Sequence, residues 1–506
     1  MIIDVHTHIH SLQEDGLRAE GDIFVEECRR NGVRLILVSS VGAFERYPAA
    51  EDVHRYNALV ETFDARMGDR TRWLLYINPQ HESCRQEIDH WSERGAVGVK
   101  LWVSLKDESG SLDRTVEAVR YAGRKGLPVL IHAWDRRGPN LPGEVTLDEF
   151  AELAERCPEA TLIGAHANGN WRHAIGALRG RLPKAYVDIC GSFPEKGMVE
   201  ALVEDIGADR ILYGSDATGR SMASQISKVV LADIAEEQKE SILWKNAARV
   251  FGLEGLREQD QPEPSLRPES DLPDRQEDHF CFCGRWPFFE TACETPAHLE
   301  KELERHDVAK AFTGDLGSVY RMDLEAANAA FLSACAGCAR VAPLAVVNPC
   351  TSNWRHVLDK MDDGFAGVLL HPYLHNWRPD DPGHAALFRA CSEQSKPVWM
   401  NCRLGDDRCR HSGVEHHLPN ADELIAFAAN APPNRYVFQG LGRHETNRFL
   451  EATQGDDRFR TEISRLTDGT GVLQDVLERH GRDKLVMGSE YPLRDMKQVW
   501  WTALRV

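Results

Sequence analysis

The stretch IIDVHTH, at residues 2–8, decides how the first half of this sequence is interpreted. It is a short apolar run that ends in two histidines placed two positions apart, His6 and His8. Alternate residues of a β-strand project to the same face, so both imidazoles are expected on one side of a strand, near its carboxyl end. The stretch therefore predicts a buried strand that presents two imidazoles together.

Seven further apolar runs follow, each separated from the last by the length of a helix. They are RLILVSS, RWLLYIN, AVGVKLW, PVLIHA, ATLIGAH, AYVDIC and RILYGSD. The segments between them, such as DIFVEECRRNG and LDEFAELAERC, have apolar residues three and four positions apart, as a helix packed on a sheet requires. Eight alternations of strand and helix in about 250 residues predict an α/β fold, a (β/α)8 TIM barrel.

The same rhythm restarts after a break rich in Pro, Glu, Asp and Arg. Residues 257–277 carry too little apolar sequence to fold alone and are predicted to be a linker. Eight more runs follow: HFCFCG, VAKAFTG, VAPLAVVNP, FAGVLLHP, KPVWMNC, RYVFQGL, FRTEIS and KLVMGSE. The sequence thus predicts two tandem barrels, a catalytic one at 1–256 and a second one at 278–506.

In such barrels the chemistry lies at the carboxyl ends of the strands, where residues distant in sequence converge. The strand ends of the first copy carry His6, His8, Lys100, His132, His166 and Asp216. A single histidine at a strand end is most often a hydrogen-bonded structural residue, but several ends together favour a metal site. Neutral imidazoles suit Zn²⁺ or a similar borderline metal.

The motifs DVHTH, GVKLW, VLIHA, GAHANGNW and YGSD resemble the amidohydrolase superfamily, in particular the amidohydrolase-related branch (amidohydrolase 2) of metal-dependent hydrolases and decarboxylases. The resemblance covers nearly all of residues 1–254. It implies metal ligation by His6, His8, His132 and Asp216, with His166 as a ligand or as the imidazole that polarises the substrate. The expected cofactor is Zn²⁺, Mn²⁺ or another divalent ion, one per chain.

Lys100 has two interpretations. In two-metal members of the superfamily a lysine at the end of the fourth strand is carboxylated and bridges the metals, and Lys100 stands at a comparable place. We favour the alternative, in which Lys100 contacts the substrate or a neighbouring acid, because a buried lysine needs an anionic partner. Further candidate substrate contacts follow other strand ends: Trp102, Trp134, Arg136, Asn168, Trp171 and Arg220. The arginines would suit a substrate carboxylate.

The second copy is expected to lack the metal-binding residues. Matching its motifs to those of the first copy places Cys281 and Cys283 against His6 and His8, Asn401 against His132, Leu441 against His166, Glu490 against Asp216 and Leu369 against Lys100. A leucine cannot replace an imidazole as a ligand. Two alternatives stay open for this copy. In the first, Cys281, Cys283 and Cys402 would offer thiolates to a soft metal together with the carboxylate of Glu490. In the second, the barrel mouth would keep a ligand pocket with Arg285, Trp286, His371 and Arg403.

Composition narrows the choice of partners. A formal net charge of -19 argues against nucleic acid and anionic lipid surfaces. No apolar run approaches the ~20 residues of a membrane-spanning helix, and no signal peptide is recognised. The 13 scattered cysteines indicate reduced thiols, so a cytoplasmic location is expected. Self-association into a homo-oligomer, with the second barrel as the association surface, is a further expectation.

The function predicted for the first barrel is metal-dependent hydrolysis. A metal-activated water would attack the amide, lactone or ester carbonyl of a small polar or anionic substrate. Asp216, matching the eighth-strand acid of the family, would accept the proton and pass it to the leaving group, with His166 as the second catalytic residue. One alternative is non-oxidative decarboxylation of a small carboxylic acid. Another is a non-catalytic protein that binds a metabolite.

Overall fold

Two eight-stranded parallel sheets carry the fold of this protein, seen here in a computed structural model. The structure describes residues 1–136, 139–169, 171–178, 185–191, 193–253, 255–256, 262–361, 363–409 and 413–506. Contacts divide the chain into a first unit, Met1–Leu266 with Arg505, and a second unit, Arg267–Leu504 with Val506. The two predicted TIM-barrel domains are thereby confirmed as a fold class. The boundaries at 256 and 278 and the linker stay predictions, and residues 257–261 lie outside the described residues.

In the first unit the strands follow one another around the sheet in chain order. They are β1 (Ile3–His8), β2 (Leu35–Ser39), β3 (Thr71–Tyr76), β4 (Gly98–Leu101), β5 (Val129–Ile131), β6 (Leu162–Gly164), β7 (Ala185–Asp188) and β8 (Ile211–Leu212). The last strand meets the first, since Val5 N donates to Tyr213 O at 3.1 Å and His8 N donates to Ala217 O at 2.8 Å. The sheet is therefore closed into a barrel.

Helices follow each of these strands along the chain. They are α1 (Glu14–Asn31), α2 (Ala50–Met67), α3 (Cys84–Glu93), α4 (Asp113–Arg124), α5 (Leu147–Arg156), α6 (Trp171–Ala177), α7 (Met198–Ile206), α8 (Met222–Val230), α9 (Glu236–Glu240) and α10 (Asn246–Val250). In α4 the buried residues Thr115, Val116, Val119 and Ala122 recur three and four apart, so one face packs on the sheet. At the start of α5 the Thr146 side chain accepts from Glu149 N, and Glu149 accepts from Thr146 N in return.

The second unit repeats the plan. Its strands are β9 (Glu277–Cys283), β10 (Lys310–Asp315), β11 (Val341–Val346), β12 (Gly367–Leu370), β13 (Val398–Asn401), β14 (Tyr436–Gln439), β15 (Phe459–Glu462) and β16 (Leu485–Val486). Its helices are α11 (Pro296–Arg305), α12 (Leu324–Ala334), α13 (Trp354–Asp359), α14 (Pro372–His375), α15 (Ala385–Glu393), α16 (Ala421–Asn430), α17 (Arg443–Ala452), α18 (Val472–His480) and α19 (Gln498–Ala503). Closure again joins the first and last strands, because His279 N donates to Met487 O at 2.9 Å.

The register of β9 corrects the alignment of the two copies. In the first unit Asp4 accepts from His6 N and Ser215 N, and in the second Asp278 accepts in the same way from Phe280 N and Ser489 N. His6 and His8 therefore correspond to Phe280 and Phe282. The expected match to Cys281 and Cys283 was wrong by one residue, which in a strand reverses the face.

Cys281 and Cys283 accordingly face away from the barrel interior. Both are buried in an apolar cluster with Leu299 and Leu303 of α11. Burial raises the pKa of each thiol well above its usual range, which opposes the thiolate form that a metal needs. The alternative of a soft-metal site built on these two cysteines is not supported by this arrangement.

No helix in the described ranges combines the length and the apolar character needed to cross a membrane.

Candidate metal centre

The centre of the first barrel begins with the two imidazoles of β1. The pairing of β1 with β2 shifts register between Asp4 and Thr7, and both rings are buried. His6 Nε2 and His8 Nε2 lie 3.1 Å apart. The prediction that both histidines present their rings together is matched by this geometry.

Asp216 follows β8 and faces the two histidines. Its backbone has φ 64°, the left-handed region that costs a non-glycine residue conformational energy, and its N–H donates to His6 O at 2.7 Å. This turn brings the carboxylate to the imidazoles, with Asp216 Oδ1 3.6 Å from His8 Nε2 and 4.0 Å from His6 Nε2. The three ligand atoms all lie within 4.8 Å of one another.

These separations suit a single divalent ion. Ligands placed about 2.1 Å from a tetrahedral metal are about 3.4 Å apart, close to the observed 3.1, 3.6 and 4.0 Å. The other ring nitrogens are already bound, since His6 Nδ1 lies 2.9 Å from Asp188 Oδ2 and His8 Nδ1 lies 2.9 Å from Ser39 Oγ. Such contacts fix the ring orientation and turn each Nε2 toward the shared centre.

Protonation favours the same role. Burial lowers the pKa of His6, His8 and His166 well below the usual histidine value, and burial also lowers the pKa of His132. The rings are therefore neutral near pH 7, which is the form that binds metal. Formation of the centre requires no loss of an imidazolium proton at that pH.

His132 and His166 lie beside this group at the ends of β5 and β6. His132 Nδ1 is 3.1 Å from His166 Nε2, and the His6 and His166 ring centroids are 5.3 Å apart. His132 Nε2 is held by Glu144 Oε1 at 2.9 Å. Nε2 of His132 thus carries the proton, and Nδ1 presents its lone pair to the centre.

Glu144 contacts this group of side chains and was not predicted from the sequence. Its buried carboxylate binds His132 on one oxygen and also accepts from Arg136 Nε at 2.9 Å and Arg136 Nη2 at 3.1 Å. Burial raises the pKa of this carboxyl, but the hydrogen bonds from His132 and Arg136 outweigh burial and lower the pKa to about 2. Gly143, at φ 84°, allows the turn, because a Cβ there would collide with Val103 O.

The family of this unit follows from its sequence. Residues 3–253 match the family model for amidohydrolase. This segment belongs to the amidohydrolase family. A sequence search among curated proteins finds no match for the chain.

Solved structures similar to the amidohydrolase domain include three decarboxylases. A 2,6-dihydroxybenzoate decarboxylase from Rhizobium is 18% identical, with 50% of this chain and 99% of that chain covered and a TM-score of 0.40. A 5-carboxyvanillate decarboxylase from Sphingomonas paucimobilis is 18% identical, with 50% and 98% covered and a TM-score of 0.39. A dihydroxybenzoic acid decarboxylase from Polaromonas, with bound manganese and the inhibitor 2-nitroresorcinol, is 17% identical, with 51% and 98% covered and a TM-score of 0.41.

Two more residues of the amidohydrolase domain border its centre without having been predicted. Asp188 ends β7 and accepts from His166 N at 2.8 Å, in addition to its contact with His6. Cys190 Sγ lies 2.9 Å from His6 Nδ1 and 3.2 Å from His166 Nδ1. The available signal was their spacing, since Asp188 and Cys190 are two apart at a strand end, as are His6 and His8.

Lys100 points into the amidohydrolase domain's centre. It is buried, and its Nζ lies 2.7 Å from His6 Nε2. Burial lowers the pKa of Lys100 from its ordinary value, whereas the charges of Cys190, Asp188 and Asp216 act in the opposite direction. The lysine therefore lies beside a candidate metal ligand, with acidic groups around it.

The remaining predicted contacts take different positions. The Trp134 ring stacks on His132, with centroids 6.4 Å apart and an angle of 14°, and it contacts His166 edge to face. Trp102 packs beside Phe44, 5.6 Å between centroids.

Two other predicted contacts make hydrogen bonds. Arg220 N donates to Asp216 O at 3.2 Å. Trp171, on α6, bonds to Glu195 through its indole N–H. The side chain of Asn168 lies outside the described residues.

The matching face of the second barrel carries other groups. His166 N and Gly440 N both donate to the acid of the neighbouring strand, Asp188 in the first unit and Glu462 in the second. The position of His166 is thus taken by Gly440, and the expected match to Leu441 was wrong by one residue. Glu490 N donates to Phe280 O at 2.6 Å, as Asp216 N does to His6 O, so the match of Glu490 to Asp216 is correct.

Proposed function

We propose that the amidohydrolase domain is a metal-dependent hydrolase that acts on an amide, lactone or ester of a small polar or anionic substrate. His6, His8 and Asp216 would hold one Zn²⁺ or Mn²⁺ per chain, with His132 and His166 completing the ligand set. The observation that carries the proposal is the spacing of His6 Nε2, His8 Nε2 and Asp216 Oδ1, which are 3.1, 3.6 and 4.0 Å apart. Family membership of residues 3–253 supports it.

A bound divalent ion supplies a Lewis acid for the scissile carbonyl and lowers the pKa of water. The chain's own residues would move the protons. The Asp216 side chain is 29% exposed, so it can exchange protons with substrate and solvent while facing the two histidines. We propose that Asp216 accepts the proton of the attacking water and delivers it to the leaving group. His166, whose buried ring is neutral, would orient or polarise the substrate carbonyl.

Substrate contacts are proposed for Lys100, Trp102, Trp134, Arg136, Asn168 and Arg220. Of these, Arg136 has the most specific support. Its Nε and Nη2 are bound by Glu144, so the guanidinium is fixed next to His132 and Trp134, with 29% of the side chain exposed. A fixed, partly exposed guanidinium suits a carboxylate. This observation favours a second candidate function, decarboxylation of a small carboxylic acid.

The metal assignment is tested by removing its first two ligands. Full-length protein purified without chelator is expected to contain about one equivalent of zinc or manganese per chain, measured by mass spectrometry of the metals. The double variant His6→Ala plus His8→Ala is expected to lose that metal. His54→Ala is the matched control, because His54 is half-exposed and binds Glu87 instead. Retention of metal by the double variant would place the site elsewhere.

The reaction is tested on a panel of lactones, amides and aromatic carboxylic acids. Product acid and CO₂ are scored separately, so that hydrolysis and decarboxylation give different readouts. The hydrolase assignment predicts new acid without CO₂. Release of CO₂ alone would replace it with the second candidate, and no turnover by metal-loaded protein would favour the role of a metabolite-binding protein.

For the second barrel we propose a structural or regulatory role without metal chemistry, such as self-association of the chain. Phe280, Phe282, Asn401 and Gly440 stand where His6, His8, His132 and His166 stand in the first barrel. Neither a phenyl ring nor glycine can ligate a metal through its side chain. Sedimentation of the full chain tests the association directly.

A further inference from the structure

A row of buried polar side chains lies at the carboxyl ends of three neighbouring strands in the second barrel. His371 follows β12, Asn401 ends β13 and Gln439 ends β14, and they are 0%, 0% and 1% exposed. Within the described ranges, neither ring nitrogen of His371, neither amide atom of Asn401 and not the Oε1 of Gln439 has a hydrogen-bond partner. Native proteins pair nearly all such buried groups, so a cluster of unpaired ones requires a physical explanation.

The three side chains point into the barrel. Leu370 pairs with Met400 and Asn401 pairs with Gln439, so the three residues stand at one level on adjacent strands and project to the same face. Gln439 Nε2 donates to His279 O at 2.6 Å. His279 lies on β9, which is not a neighbour of β14 in the sheet, so this side chain reaches across the interior.

Strand register relates this row to the first barrel. Leu101 pairs with Ile131 there, as Leu370 pairs with Met400 here. His371 therefore occupies the position of Trp102, and Asn401 occupies the position of His132. The unpartnered groups thus lie where the amidohydrolase domain has its centre, on the face of the barrel that holds ligands in this architecture.

The nearby carboxylates are already bound. Glu490 accepts from Gly405 N at 2.8 Å and from Arg494 Nε at 3.0 Å. Glu462 accepts from Gly440 N and from both the backbone N and the hydroxyl of Ser464. Both carboxylates already accept hydrogen bonds from the chain. The unpaired donors and acceptors of this row therefore belong to uncharged side chains.

That capacity includes both donors and acceptors. Burial lowers the pKa of His371 well below its usual value, so its ring is neutral and offers one N–H and one lone pair. The Asn401 amide also donates and accepts, and Gln439 Oε1 accepts. The Phe282 ring lies beside that of His371, with the two centroids 6.3 Å apart, so an apolar surface adjoins the polar groups. A complementary ligand is small and uncharged and has a donor and an acceptor next to each other.

We propose that His371, Asn401 and Gln439 form a binding site in the second barrel for a small uncharged molecule of the carboxamide type. The site is independent of the metal centre and of the function proposed for the first barrel. It shares His371 with the pocket expected from the sequence but not the two arginines, because Arg403 Nε is paired with Asp407 at 2.9 Å and Arg285 is 82% exposed.

The test uses ligand-observed saturation-transfer NMR on the dialysed full-length chain, with acetamide as the probe and acetate as its charged counterpart. Acetamide is expected to give a signal that falls at least fivefold in Asn401→Leu and in His371→Leu. The second variant keeps the test valid if the first does not fold, and thermal unfolding checks both. Asn328→Leu is the matched control, since the buried Asn328 amide is fully engaged with Val346 N and O, and it should keep the signal.

Three results would overturn the proposal. The first is no acetamide signal in the wild-type chain, which would mean that only ordered water hydrogen-bonds to His371, Asn401 and Gln439. The second is an undiminished signal in both leucine variants, which would place the binding elsewhere. The third is an acetate signal that equals that of acetamide and is lost in the same variants, because the site would then not distinguish a carboxylate from a carboxamide.

Discussion

Glu144 Oε1 lies 2.9 Å from His132 Nε2, and the same carboxylate holds Arg136 through two hydrogen bonds. One buried acid thus sets the tautomer of a candidate metal ligand and the direction of a candidate substrate contact. Leu141 N also donates to Glu144 Oε2 at 2.9 Å, so the connection between β5 and α5 is tied to the same carboxylate. Because the carboxylate reaches the centre through His132, we expect it to act as a positioning group.

Removal of this carboxylate is expected to weaken metal binding. In Glu144→Ala, His132 Nε2 loses its acceptor and the ring is free to change tautomer, so Mn²⁺ affinity should fall about 10–100-fold. Glu144→Gln keeps an amide oxygen for the ring N–H and should lose less. Calorimetric titration of metal-free protein with Mn²⁺ measures both. Glu149→Ala is the control, because this acid in the same region caps α5 and binds Lys106.

An equal affinity in Glu144→Ala and the wild type would contradict the positioning role while leaving the metal site intact. Absence of Mn²⁺ binding in the wild type would instead contradict the site itself.

Asp188 is expected to be a second determinant of the metal centre. It holds His6 Nδ1 and His166 N at once, so Asp188→Ala releases two candidate ligands together. Mn²⁺ affinity should drop at least about tenfold. The same titration measures it, with Asp209→Ala as a control on the turn before β8. A variant that binds Mn²⁺ like the wild type would show that His6 needs no partner at Nδ1.

The barrels were predictable because burial imposes a period on the sequence. Most strands are short apolar runs and the longer helices repeat their apolar residues three and four apart, and this pattern predicts two (β/α)8 barrels. The locations of His6, His8, His132 and Asp216 followed as well, since the carboxyl ends of parallel strands share one rim.

Glu144 was not predicted as a site residue because it lies in the connection between β5 and α5. No period marks a loop residue, and its approach to His132 depends on the turn at Gly143. The one-residue error in β9 has another cause. Cys281 and Cys283 are spaced two apart like His6 and His8, and the alignment of the two copies was based on this spacing. The residue that fixes the correct alignment is Asp278, which is recognised only by its hydrogen bonds to Phe280 N and Ser489 N.

The second unit should depend on a buried arginine. Arg494 is fully buried, binds both oxygens of Asp468 at 2.8 and 2.7 Å and binds Glu490 at 3.0 Å. Arg494→Met removes the cation that Asp468 and Glu490 share and leaves Glu490 with the longer ion pair to Arg465 at 3.3 Å, so the unfolding free energy should fall by about 3–5 kcal/mol. Urea unfolding measures the loss. Arg285→Met, at an exposed pair with Glu294, should cost about 0–1 kcal/mol.

If the two variants unfold at the same urea concentration, the buried cluster contributes no more than a surface pair. A loss confined to Arg494→Met would support the cluster as a source of stability for the second barrel.

Glu27 should make the stability of the first unit depend on pH. This residue of α1 is 4% exposed, and burial raises its pKa from 4.5 to about 7, against the opposing charge of Arg30. The folded state then keeps a proton that the unfolded state loses between pH 4.5 and about 7. Stability from this group is full below pH 4.5 and falls as pH rises to about 7, by up to about 3 kcal/mol.

Glu27→Gln removes that titration while keeping the shape of the side chain. The variant should gain on the wild type as pH rises, so their difference in unfolding free energy should be larger at pH 8 than at pH 5. Urea unfolding of both proteins at the two pH values measures it, and taking the difference cancels the other titrating groups. Glu26→Gln is the control, because Glu26 is exposed and pairs with Arg29 and Arg30, which lower its pKa to about 2. The difference in unfolding free energy between Glu26→Gln and the wild type should stay constant between pH 5 and 8. A constant difference for Glu27→Gln as well would mean that Glu27 is charged in the folded protein over this pH range.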